Sequence, residues 1–61
     1  MREEYIDYFT QMQEEHIKRP LGGMAWDDIN WWIYNATLKD KCFTREELAE
    51  MFPILLGHLV R

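Results

Sequence analysis

Residues 26–38, WDDINWWIYNATL, place large apolar side chains on two opposite sides of one predicted helix, and no other feature limits the fold of so short a chain as much. At about 100° per residue, Trp26, Ile29, Ile33 and Ala36 line one face. Trp31, Tyr34 and Leu38 line nearly the opposite face, with Trp32 between the two. A helix with two dry faces normally lies at the centre of a fold, yet 61 residues leave little chain to cover both. A domain of this size buries only about 60% of the surface its unfolded chain exposes, so its core needs reinforcement. Cys42 is the sole cysteine, which rules out an intrachain disulfide and points to a reducing compartment, with the cytoplasm as the expected location. Apolar residues make up 48% of the chain and aromatics 15%, so association is the remaining remedy. The expectation is a single all-α domain over 1–61, three helices with the second central, completed by homodimerisation through Trp31, Tyr34 and Leu38 with help from Trp32.

The flanking helices follow from patterning and punctuation. Over 2–19, Tyr5, Ile6, Phe9, Met12, His16 and Ile17 fall on one side, with Tyr8 at its edge and acids opposite. Glu14 with Lys18, and Glu15 with Arg19, have the acid-first order that favours i,i+4 pairing. Pro20-Leu21-Gly22-Gly23 ends this helix, and the second is expected over 26–38 with Asp27 and Asp28 in its first turn. The third, over 44–60, opens with a capping box, Thr44 as N-cap and Glu47 three residues on, with Phe43 and Leu48 at the staple positions. Pro53 lacks an N–H and crowds the carbonyl of Ala49, so a kink or break is expected there. The predicted core is Phe9, Met12, Trp26, Ile29, Ile33, Leu48, Phe52, Leu55 and Leu59, flanked by Met51 and Leu56.

Little in the chain suggests chemistry. There is no serine, Cys42 sits in a turn beside Lys39 and Lys41, and the carboxylate pairs lie on faces expected to be solvated. No enzyme activity, cofactor or metal is expected, because His16, His58, Cys42 and Asp40 have no metal-site spacing. No apolar run approaches the length of a membrane span. The net charge of −4 with no basic segment argues against nucleic acid, whose affinity rests on clustered Lys and Arg.

Two sharper readings remain. Leu48-Ala49, Phe52, Ile54 and Leu59 resemble the helix-turn-helix pattern, which implies a DNA-binding regulator using residues 44–61. That resemblance departs at Pro53, where glycine is usual, and its reading helix would offer only His58 and Arg61 as donors. The acidic face of helix 1 could instead mimic a phosphate array, although Lys18 and Arg19 interrupt it.

In size, acidity, helical content and aromatic richness the whole chain resembles the small early or accessory proteins of temperate bacteriophages, a likeness of style carried by no signature residue. The resemblance implies a protein that binds and redirects a host protein. A regulator or inhibitor acting through an aromatic helical surface on a host or cellular protein is therefore the expected function.

Overall fold

Pro53 decides how the C-terminal third of the chain folds. The residue before a proline is pushed out of the α region, and Phe52 sits at φ −129°, ψ 64°. In the computed structural model, which describes residues 1–60, the single third helix expected over 44–60 is therefore broken rather than kinked. The elements are α1 (Arg2–Lys18), α2 (Gly23–Tyr34) running on into a π-helical turn (Asn35–Lys39), α3 (Arg45–Met51), α4 (Pro53–Leu56) and a closing 3-10 turn (Gly57–Leu59). No strand occurs among the described residues, so the fold is all-α with four helices in place of three. Arg61, one of the two donors weighed for a DNA-reading helix, lies outside the described residues.

The break creates a capping problem with a long-range solution. Pro53 takes the first helical position, where its missing N–H costs nothing, but the next two amides still need acceptors. Phe52 has no side chain able to cap. Gln13 of α1 supplies the acceptor: its Oε1 receives hydrogen bonds from the backbone N–H of Ile54 and of Leu55, each 3.1 Å. Backbone packing between elements is close where α1 meets α4 and where α3 meets α4 and the closing 3-10 turn. Leu55 and Leu56 are fully buried there, each contributing roughly 1.5–3 kcal/mol by leaving water. The centre thus belongs to α4, not to the second helix as expected.

Around that centre the buried residues form one cluster, Tyr5 and Phe9 from α1, Ile29, Ile33 and Ala36 from the second helix, and Phe43, Leu48, Phe52, Leu55 and Leu56 from the C-terminal third. Of the predicted core, Met12, Trp26 and Leu59 are only partly buried against it. Ile17, expected on the inward face, is 58% exposed: α4 meets α1 further up, and in the last turn it is His16 that is packed, against Trp26. The i,i+4 ion pairs expected on α1 do not close among the described residues, and Gln11 instead reaches Glu15 at 3.2 Å.

The second helix begins at Gly23, three residues before its expected start, with Gly22 as an N-cap that contributes no side-chain bond. Asp27 and Asp28 therefore lie beyond the first turn. At the other end, Thr37 Oγ1 donates to the Ile33 carbonyl at 2.7 Å, competing with the regular backbone ladder where the helix widens into the π turn. The Ala36 carbonyl then accepts from both Cys42 N–H (2.9 Å) and Phe43 N–H (3.1 Å), with Lys41 in the left-handed region at φ 53°. That reversal delivers Phe43 and Thr44 to α3, whose capping box is complete: Glu47 N–H to Thr44 Oγ1 at 3.0 Å and Thr44 N–H to Glu47 Oε1 at 2.8 Å. Phe43 and Leu48, at the staple positions, are both buried.

Two stability measurements check this account. Gln13→Ala leaves two amides of α4 without their acceptor and is expected to cost about 1–2 kcal/mol in urea denaturation. A loss below about 0.5 kcal/mol, the range of an ordinary surface change, would show that α4 does not depend on Gln13. Lys41→Gly removes the left-handed penalty of about 1–2 kcal/mol, partly offset by the greater freedom of glycine when unfolded, so it should raise the urea midpoint.

Candidate interaction surface

The helical repeat that buries Ile29, Ile33 and Ala36 turns Trp31, Tyr34 and Leu38 the other way. All three are open to solvent: Trp31 is 59% exposed, Tyr34 46% and Leu38 66%. The rings of Trp31 and Tyr34 stack at 5.7 Å and 25°, a paired aromatic platform one turn from Leu38. Trp32 is placed differently from the companion role expected for it. It stacks flat on Tyr8 (4.0 Å, 6°) and meets Tyr5 edge-on at 5.7 Å, so α1 holds it half-buried between the two faces. An interface built here has Trp31, Tyr34 and Leu38 as its exposed residues, with Trp32 fixed behind them.

Alongside this platform α1 and the second helix form an open cleft of about 490 Å³. Tyr5, Trp31 and Trp32 give it aromatic walls, Glu4, Asp28 and Asp40 line it with carboxylates, and Asn35 and Lys39 complete it together with Met1. Two phenols tie the carboxylates down: Tyr8 donates to Asp28 Oδ2 at 2.6 Å, and Tyr5 donates to Asp40 Oδ2. The Tyr5 phenol is pushed up from 10.0 to about 12, first by that hydrogen bond, which favours the neutral donor, and then by burial. The Tyr8 phenol is raised as well, with burial as the larger cause and the Asp28 bond next. On the far side of the loop, Arg2 lies over the Phe43 ring at 4.2 Å and donates to the Cys42 carbonyl. The N-terminal turns of α1 thereby clamp residues 40–43.

Asp28, Trp31, Trp32, Asn35 and Lys39 recur at helical spacing, so one wall of this cleft was present as a pattern in the sequence. The contribution of Glu4 and Tyr5 was not, since nothing local says which turn of α1 faces that wall.

The groups weighed for chemistry fall in two separate places, the two histidines in one and Cys42 with Asp40 in the other. His16 and His58 flank Trp26 edge-on at 5.4 and 5.8 Å, and His16 Nδ1 accepts from Leu21 N–H at 3.3 Å. Cys42 lies by Arg2 at the opposite end of α1, about 21 Å along the helix from His16. No group of three or more His, Cys, Asp or Glu able to hold a metal occurs among the described residues. No helix among them is long and apolar enough to cross a membrane. No protein-family model, curated protein or solved structure matches the chain.

The tyrosine ties have a pH signature. A phenol whose folded pKa lies above its unfolded value adds stability that is complete below pH 10 and disappears as pH rises towards 12. Stability measured by urea denaturation should therefore decline across that window, and Tyr5→Phe should make the decline shallower. An unchanged slope in Tyr5→Phe would mean that the Asp40 bond does not stabilise the neutral phenol.

Proposed function

We propose that this protein is a non-enzymatic interaction module that regulates or inhibits another protein by seating the Trp31–Tyr34–Leu38 face on it, and that the same face joins two copies when the partner is absent. The observation that carries this reading is the contrast across one helix. Its inner face is fully enclosed at Ile29 and Ala36, whereas its outer face exposes an indole, a phenol and a leucine in adjacent turns. Exposed aromatics of this kind are the residues that supply most of the energy of protein association, and left bare they invite aggregation. The resemblance in size, acidity and aromatic content to phage accessory proteins makes a host protein the suggested target.

The DNA-binding reading finds less to work with. A helix that lies in the major groove needs several turns with donors at its N-terminal end. Beyond the break, the helical elements among the described residues are the four residues of α4 and one 3-10 turn. The phosphate-mimic reading has the exposed acids of α1 in its favour and no second feature.

Sedimentation velocity tests the proposal directly. Wild type should show a concentration-dependent shift towards a dimer in the micromolar range, and Leu38→Glu, at a 66% exposed position, should remain monomeric with unchanged helicity. Affinity capture from a host lysate should yield a specific protein that Trp31→Ala loses. A wild type that stays monomeric at high micromolar concentration and a capture pattern indifferent to Trp31→Ala together would overturn it.

A further inference from the structure

The cleft beside the platform has a chemistry of its own. Tyr5, Trp31 and Trp32 give it aromatic walls, and its charged side chains are Glu4, Asp28 and Asp40 against Lys39. Asp28 and Asp40 each give Oδ2 to a tyrosine, and their Oδ1 atoms make no hydrogen bond among the described residues. The two phenols therefore orient carboxylates whose second oxygens stay free for an incoming donor. Asn35 is also in the lining, but its Oδ1 is closed off from solvent and so is not an acceptor open to an incoming group. The unpaired carboxylate oxygens call for a donor, and the aromatic faces favour a cation.

Resting on the reading as an interaction module, we propose that this cleft receives the guanidinium of an arginine in a basic segment of the bound protein, stacked on the indole of Trp31 and hydrogen-bonded to Asp28 and Asp40. Guanidinium is flat, weakly hydrated and carries five N–H donors in one plane, which suits separated acceptors beside an aromatic wall. Ammonium is compact, more strongly hydrated, and gains less from stacking. At about 490 Å³ the open cleft is within the size range of small-ligand sites, large enough to admit a guanidinium group. The carboxylates oppose a phosphate group, so nucleic acid is not the occupant.

The test is an NMR titration of the indole N–H resonances with three acetylated, amidated tetrapeptides, Gly-Arg-Arg-Gly, its citrulline counterpart and its lysine counterpart. The arginine peptide should shift the Trp31 and Trp32 signals, bind at least about fivefold more tightly than either of the others, and weaken as NaCl rises from about 50 to about 300 mM. The double variant Asp28→Asn and Asp40→Asn keeps an acceptor for both tyrosines, so the fold is retained while affinity falls about fivefold. Equal binding of the citrulline or lysine peptide, no loss in the double variant, or no shift up to about 10 mM peptide would overturn the assignment. Leu38→Glu, outside the cleft, should bind the arginine peptide within about twofold of wild type. If association through the platform fails while peptide binding persists, only the function reading falls, and the reverse outcome removes only the arginine site.

Discussion

A single missing N–H organises this protein. Because Pro53 cannot continue the helix begun at Arg45, the chain turns at Phe52 and starts a new four-residue helix whose free amides must be satisfied from elsewhere. Gln13 satisfies them, and in doing so fixes α4 against α1 with Leu55 and Leu56 driven into the centre. A continuous third helix would have spread its leucines along one stripe. The broken one concentrates them at a point, which lets a chain of 61 residues enclose a core without using the outer side of the second helix.

That economy leaves the outer side bare. The second helix gives Ile29, Ile33 and Ala36 to the core and then turns Trp31, Tyr34 and Leu38 outward, while Trp32 is captured on its flank by Tyr8 and Tyr5. Offset and edge-on ring pairs of this sort add on the order of 0.5–1.5 kcal/mol each beyond the area they bury. The aromatic ladder from Tyr5 and Tyr8 to Trp32 thus holds the base of the platform rigid, so that Trp31 and Tyr34 are presented on a fixed helix and not on a mobile loop. Preorganised aromatic surface loses little freedom on binding.

Local signals were the legible ones. The capping box at Thr44 and Glu47, the staple positions of Phe43 and Leu48, the inward stripes that carry Phe9 on α1 and Ile29 and Ile33 on the second helix, and the disruption at Pro53 each depend on residues within a few positions of each other. What escaped depended on distance in sequence. Gln13 reads as an ordinary polar position on α1 until α4 is brought to it, some forty residues later. Asp28 reads as a helix-start acid until Tyr8 claims it, and Trp32, between the two faces, reads as help for the outer one until the same tyrosine covers it. The early start of the second helix at Gly23 escaped for a different reason: two glycines look like a loop, and only tertiary context makes them a helix terminus.

The bond between Gln13 and the start of α4 also ties together the evolutionary fates of two remote positions. An acceptor at 13 is useful only while a proline at 53 forces a fresh helix to begin, and that proline is tolerable only while something at 13 can close the gap. Drift at either position alone is penalised, so descendants of this chain should keep both or exchange both, a pairwise inheritance written across the whole length of the fold.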